Sequence, residues 1–297
     1  MPDAALQVAR ERAHHEHARL VLGRTIETCR SGGVDVLPVK GVLTARTFYA
    51  DTGERPIQDI DLRVRPRDMR AVREIGERAG WRLLSESRAY HTLSFDVLGF
   101  LVEFECHVGP PGLCGLRVED MLQRSLPCTE PFGWPHLQPE LHDHALLFCV
   151  NVFKDKLIEA MPGAVRDLEL VAEHPGFSAG RLVALARDSG SANIVWIVAE
   201  WLAKTRGAER WRAVCDALGR SPPRPFYTFL FNGAIQASPP PRQVLRVLAR
   251  VGSDRGGAQV RALGTMMALM LGASRGAWAA IANGGALRGN EGGRGKR

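Results

Sequence analysis

The pattern of apolar and polar residues changes about a third of the way along the chain. Residues 4–31 repeat apolar side chains every three to four positions, which predicts a helix ending at the glycines that follow. Short apolar segments then predict strands at 34–41 and 57–64, each followed by a helix, at 42–51 and 65–80. Residues 81–107 alternate apolar and polar side chains and predict two or three further strands.

Beyond residue 115 the helical spacing returns and continues through the segments 119–126, 141–160, 163–174, 178–190 and 192–207. Strands followed by helices indicate an α+β protein with a small mixed-sheet core followed by an all-helical domain. We therefore expect an N-terminal helix at 1–33, the core at 34–115, the helical domain at 116–283 and a disordered, Gly-rich basic tail at 284–297.

Secretion and membrane insertion are not indicated by the sequence. The first thirty residues are charged and amphipathic and lack the apolar segment of a signal peptide. The most apolar segment, 258–282, is interrupted by arginines, so we expect a buried helix there and no membrane partner. The six cysteines are scattered without zinc-type spacing, which is typical of reduced thiols in a cytoplasmic protein.

The net charge of +7 and the pI near 9.4 raise the possibility of a nucleic-acid partner. The arginines are spread over the whole chain, and part of the excess charge lies in the C-terminal tail. Aromatic residues make up 7% of the chain and do not alternate with a basic stripe, as a surface that stacks bases would require. The charge pattern therefore argues against nucleic acid as the partner.

Two predicted strands each carry a pair of carboxylates. Asp59 and Asp61 are two residues apart on the first, so both side chains lie on one face, where they can hold one cation together. Glu103 and Glu105 repeat the spacing on another strand, with His107 next on that face. Mg²⁺ or Mn²⁺ is the cation that such oxygen ligands favour, although a solvated sheet face would carry the same residues.

A strand-to-helix turn at Lys40 and Gly41 is the candidate phosphate site. Backbone amides and the positive end of a helix attract phosphate there, glycine permits close approach, and lysine adds a mobile charge. The alternative is a turn glycine beside a surface lysine. Arg55 is open to two interpretations as well: a phosphate ligand, or an ion-pair partner of the aspartates.

The segment PVKGVLTARTFYADTGERPIQDIDLRV resembles the uncharacterised nucleotidyltransferase family, a branch of the polymerase-β-like nucleotidyltransferases. The residues that carry the resemblance are the Lys-Gly turn, a Tyr, an Arg and the Asp-Ile-Asp-Leu motif, here Lys40–Gly41, Tyr49, Arg55 and 59–62. It continues through VEFECHV and a later helix containing Asp167, and covers roughly residues 20–205. The chain departs from the wider superfamily at Lys40–Gly41, where the superfamily has Gly-Ser, and from the family itself at Val108 in place of Trp and at Asn151 in place of His.

The resemblance implies transfer of a nucleoside monophosphate from an NTP, with ATP as the expected donor, to an unidentified small-molecule, peptide or protein acceptor, releasing pyrophosphate. It implies that Asp59, Asp61 and Glu105 bind Mg²⁺ or Mn²⁺ and that Lys40, Gly41 and Arg55 bind the triphosphate. Glu103 is the alternative to Glu105, while the roles of His107 and Asp167 stay open. The alternative functions are a non-catalytic nucleotide-binding or scaffold protein of the same fold and a nucleic-acid-directed enzyme.

Overall fold

The computed structural model describes residues 4–87, 91–109, 113–155 and 162–219, and also residues 254 and 260. Its helices are α1 (Ala4–Ser31), α2 (Gly41–Phe48), α3 (Met69–Arg78), α4 (Val118–Arg124), α5 (Leu141–Asp155), α6 (Pro162–Glu173), α7 (Ala179–Asp188), α8 (Ala192–Arg206) and α9 (Glu209–Leu218). Its strands are β1 (Leu37–Val39), β2 (Asp59–Arg63), β3 (Arg82–Ser87), β4 (Thr92–Val97), β5 (Phe100–Glu105), β6 (Leu126–Cys128) and β7 (His136–Gln138). Two predicted segments lie outside the described residues: the helix expected at 258–282, of which only residue 260 is described, and the tail expected at 284–297.

The first helix ends where the sequence predicts. Gly33 adopts a positive φ of 77°, a conformation that glycine takes without steric cost, and the amide of Val34 then donates to the carbonyl of Cys29 at 2.9 Å. The apolar stripe of α1 is buried against the sheet, through Ala18, Val21, Leu22, Ile26 and Cys29. Tertiary packing of this stripe therefore stabilises the helix.

The main sheet is mixed and has the strand order β1-β2-β5-β4-β3. The central pair, β2 and β5, is parallel, and the other neighbours are antiparallel. A parallel pair needs a crossover connection, and here α3 and the β3–β4 hairpin lie between the two strands in the chain. The α+β class with a mixed sheet, as predicted, is confirmed.

The two faces of this sheet differ in chemistry. Ile60, Leu62, Val102 and Phe104 lie on one face and belong to an apolar cluster with α1 and α3. The alternating residues of β2 and β5 carry charges on the other face. Leu37 and Val39 of β1 share that charged face by register, and they pack into the second apolar cluster, which the later helices form. The charged face is therefore directed towards the helices.

The second half of the chain is mainly helical in its described part, with two differences from the prediction. The short antiparallel pair β6 and β7 interrupts a region for which the sequence predicts only helices. Each strand has three residues, too few to show a period-two pattern. The helix α9 was not predicted, although it buries Trp211 and Val214 three positions apart.

None of the six cysteines, all within the described residues, forms a disulfide. Within the described part of the chain, no helix has both the length and the apolar character needed to cross a membrane.

Candidate functional site

Three carboxylates meet on the charged face of the sheet. Ligand oxygens of Asp61, Glu103 and Glu105 all lie within 4.8 Å of one another. The parallel register causes this proximity, because Asp61 of β2 is the Cα partner of Glu103 on β5. Asp61 is buried, and the two glutamates are half-buried. We call these three residues the acidic cluster.

Asp59 is not a member of this cluster. It is the first residue of β2, its Cα partner on β5 is Leu101, and its side chain is half-buried. The alternation of the strand places Asp59 and Asp61 on the same face, as the sequence predicts. The structure therefore brings Glu103 and Glu105 to Asp61 and leaves Asp59 at the edge of the group.

Glu103 and Glu105 differ in their partners. Glu105 forms an ion pair with the guanidinium of Arg63, a residue that is 1% exposed. Burial lowers the pKa of Arg63, and the charge of Asp61 acts against that shift. Glu103 instead accepts a hydrogen bond of 3.3 Å from the hydroxyl of Ser94. Glu105 is therefore held by a buried guanidinium, and Glu103 by a hydroxyl.

Lys40 reaches the acidic cluster from the β1–α2 turn. Its Nζ lies 2.6 Å from Oδ1 of Asp61 and 4.0 Å from Oε2 of Glu105. Its backbone has φ 55° and ψ −150°, a region occupied almost only by glycine. A lysine held in such a strained conformation, with its ammonium on buried carboxylates, is inconsistent with an ordinary surface lysine.

The helix α2 begins directly after Lys40, and no side chain caps its N-terminus. A Cβ at Gly41 would lie 3.4 Å from the carbonyl oxygen of Asp59, so the turn sits directly against the start of β2. The free amides and positive end of a helix are thereby placed beside the carboxylates.

His144 of α5 fixes the other side of this turn. The backbone amide of Lys40 donates to Nε2 of His144 at 3.2 Å, so the ring proton is on Nδ1. Burial lowers the pKa of His144 to about 3, and the charge of Lys40 acts in the same direction. His144 is thus a neutral acceptor. Sequence reasoning missed this role, because the contact joins residues 104 positions apart.

Arg55 forms a second buried group that faces α6. Its guanidinium donates to both carboxylate oxygens of Asp167, at 2.9 and 3.1 Å from Nε and at 2.8 Å from Nη2. The hydroxyl of Tyr49 donates to the same carboxylate at 2.7 Å. Burial alone would lower the pKa of Arg55, but the hydrogen bonds and charge of Asp167 outweigh it and raise that pKa. Burial, followed by the charge of Asp167, raises the pKa of Tyr49.

Asp167 is therefore a buried, ion-paired carboxylate and not a solvated one, since its side chain is 2% exposed. It ties α6 to the loop that precedes β2. Of the predicted phosphate ligands, Lys40 and Gly41 border the acidic cluster, whereas the guanidinium of Arg55 is directed to Asp167. His107 follows β5, and its backbone forms an isolated bridge with Arg117.

The model of a family described as uncharacterised nucleotidyltransferases matches residues 3–207. The chain belongs to this family. The matched range includes every residue of the acidic cluster, the Lys40–Gly41 turn and the Arg55–Asp167 pair. The family membership that the resemblance implied is therefore confirmed. A search of curated proteins found no match.

Several solved structures match this chain at low sequence identity, with TM-scores below 0.5. The structure of ANT(2″)-Ia in complex with adenylyl-2″-tobramycin is 12% identical in sequence to this chain. The match covers 58% of this chain and 96% of the ANT(2″)-Ia chain, with a TM-score of 0.43. A solution structure of the antibiotic-resistance factor ANT(2″)-Ia is 12% identical, with coverages of 75% and 99% and a TM-score of 0.40. A tRNA nucleotidyltransferase with a primer tRNA and an ATP analogue is 13% identical, with coverages of 81% and 80% and a TM-score of 0.28.

Proposed function

We propose that this family member is a cytoplasmic, metal-dependent enzyme that transfers a nucleoside monophosphate from an NTP to an acceptor and releases pyrophosphate. The observation that carries the proposal is the acidic cluster, with the Lys40 ammonium 2.6 Å from Asp61. ATP is the proposed donor. The acceptor is a small molecule, a peptide or a protein.

The acidic cluster fits a divalent cation. Mg²⁺ binds oxygen at about 2.1 Å, so oxygens on opposite sides of the ion are about 4.2 Å apart. The cluster oxygens lie within 4.8 Å of one another, close to that spacing. Lys40 now supplies positive charge at this position. Asp61, Glu103 and Glu105 would hold one ion, and we retain Asp59 as the predicted ligand that extends the site towards a second.

The donor would bind at the turn before α2. The Gly41 amide and the N-terminal end of α2 face the carboxylates and suit the oxygens of a triphosphate. Lys40 would leave Asp61 when a metal ion binds there and would turn its ammonium to the phosphates. Arg55, predicted as a third phosphate ligand, would act through its ion pair with Asp167, which holds the loop before β2 in place.

When bound, Mg²⁺ or Mn²⁺ supplies positive charge for the attacking and leaving oxygens of an in-line displacement. The acceptor's nucleophilic atom forms a bond to the α-phosphorus while the bond from that phosphorus to the bridging oxygen breaks, and pyrophosphate leaves. The acceptor's proton passes to a carboxylate of the acidic cluster. Glu105 is held by its ion pair with Arg63, so we propose Glu105 as a ligand and Glu103 as the proton acceptor.

Thermal stabilisation by nucleotide tests this proposal without knowledge of the acceptor. Each NTP is added with Mg²⁺ or Mn²⁺ to the wild type, to Asp61→Asn and to the control Asp35→Asn, whose carboxylate is exposed and pairs with Arg65. A ligand at one hundred times its Kd stabilises a protein by about 2.7 kcal/mol. We expect metal-dependent stabilisation in the wild type and the control and its loss in Asp61→Asn.

Transfer itself is tested with NTPs labelled at the α-phosphate, incubated with the enzyme and fractions of a cell extract. Label from the α-phosphate should join an acceptor, whereas label at the γ-phosphate should not. Stabilisation by a nucleotide without any transfer would favour the scaffold alternative. An absence of stabilisation by every nucleotide would contradict the proposed donor site.

A further inference from the structure

A second group of metal-ligating side chains lies where β4 begins and β5 ends, next to Glu105. His91 directly precedes β4, and Cys106 and His107 directly follow β5. The two strands are antiparallel with Thr92 opposite Glu105, so the start of β4 and the end of β5 are neighbours. The three ligand atoms, from two imidazoles and a thiol, lie within 4.8 Å of one another.

The group extends from the surface into the core, because His91 is exposed, His107 is half-buried and Cys106 is buried. The rings of His91 and His107 are 5.2 Å apart at an interplanar angle of 75°. The thiol of Cys106 donates to the carbonyl of His91 at 3.5 Å, which joins the two strand ends. Within the described part of the chain, neither imidazole has a hydrogen-bond partner. His91 has a φ of 49°, an uncommon conformation for a residue with a Cβ.

We propose that His91, Cys106 and His107 form a Zn²⁺ site with three protein ligands and one open position. Thiolate and imidazole ligands favour zinc, whereas the all-oxygen acidic cluster favours Mg²⁺ or Mn²⁺. Zinc bonds of about 2.0–2.3 Å in a tetrahedron place ligand atoms about 3.5 Å apart. The ligand atoms lie within 4.8 Å of one another, so binding would draw them closer, and His91 is exposed and can move towards the other two. The Cys106 thiol loses its proton to solvent on binding.

The bound ion would tie the end of β5 to the segment before β4. Cys106 follows Glu105 directly in the chain, so the zinc site would hold in place the strand end that carries a residue of the acidic cluster. The site uses none of the residues proposed for nucleotidyl transfer. Zinc binding and nucleotide binding can therefore each fail without the other.

Cobalt substitution tests the site. Full-length protein without a histidine tag is freed of metal with a chelator and titrated with Co²⁺. We expect one ion per chain to give a thiolate-to-cobalt charge-transfer band and the intense visible bands of a tetrahedral ion, which Co²⁺ on the oxygen ligands of the acidic cluster does not give. Zn²⁺ should displace Co²⁺ and abolish these bands, and it should raise the Tm of the metal-free protein.

Cys106→Ser should remove the charge-transfer band, whereas the control Cys128→Ser, a half-buried thiol on β6, should retain it. His91→Asn provides a variant that folds, since His91 is exposed and asparagine tolerates a positive φ. It should weaken Co²⁺ binding by at least about tenfold, the lower end of the loss that even an outer-shell partner causes. Asp61→Asn should leave the spectrum unchanged. A band retained in Cys106→Ser, lost in Cys128→Ser, or missing from the wild type would overturn the proposal.

Discussion

The ion pair between Arg55 and Asp167 gives the sharpest test of how the helices hold the site. In Asp167→Asn, the side chain keeps its shape, but Arg55 loses the charge that compensates its own. The side chains of Arg55 and Asp167 are 17% and 2% exposed, so the guanidinium is left largely desolvated. Removing one partner of a buried pair costs about 3–5 kcal/mol, and we expect a loss of that size in the free energy of unfolding.

A double variant distinguishes the loss of the compensating charge from a simple loss of packing. Arg55→Met removes the opposite partner, and the double variant removes both charges. Replacing both members of a buried pair by neutral residues is far less costly than removing one. The double variant should therefore be more stable than the sum of the two single effects by about 2–3 kcal/mol, at the upper end of measured coupling energies.

Urea unfolding of the four proteins measures this coupling, with the slope of the transition checked for constancy. Glu169→Gln on the same helix is the matched control, because its ion pairs with Arg166 and Arg206 are partly solvated and each worth about 0–1 kcal/mol. Additive effects in Arg55→Met and Asp167→Asn, or a loss in Asp167→Asn no larger than in Glu169→Gln, would refute the reasoning.

Three further outcomes are expected. The pKa of His144 is about 3 in the folded protein and 6.5 as the ordinary value, so between these two pH values the unfolded chain takes up a proton that the folded protein does not. The free energy of unfolding is therefore unaffected by His144 above pH 6.5 and decreases as the pH falls towards 3. The loss reaches about 2 kcal/mol at pH 5, and His144→Gln should remove this part of the acid dependence in urea titrations at several pH values. Lys40→Met should raise the affinity for Mn²⁺ alone by about tenfold, measured by calorimetry, because the ammonium no longer competes for Asp61; an unchanged or weaker affinity would contradict this. Gly53→Ala should cost about 1–3 kcal/mol, because its Cβ would lie 2.8 Å from Val8, whereas Gly180→Ala, with 3.9 Å of clearance on a helix, should be neutral or stabilising.

The interpretation of the carboxylates changes most between sequence and structure. The resemblance favours Glu105 as the third acidic residue, next to His107. The register instead places Glu103 opposite Asp61 and Glu105 opposite Arg63. Both glutamates lie in the acidic cluster, but they meet different charges there. Spacing along one strand cannot distinguish them, because they share a face and differ only in what the neighbouring strand presents.

The sequence by itself determined the local features: the order of the helices and main strands, and the faces on which their side chains lie. The alternation of β2 puts Asp59 and Asp61 on one face, and Gly33 ends α1, because both depend on backbone geometry within a few residues. Only the tertiary structure decided which polar groups meet. The pairings of Asp61 with Glu103, Lys40 with His144 and Arg55 with Asp167 join residues 42, 104 and 112 positions apart. These contacts follow from strand register and helix packing, and neither is encoded in any short segment.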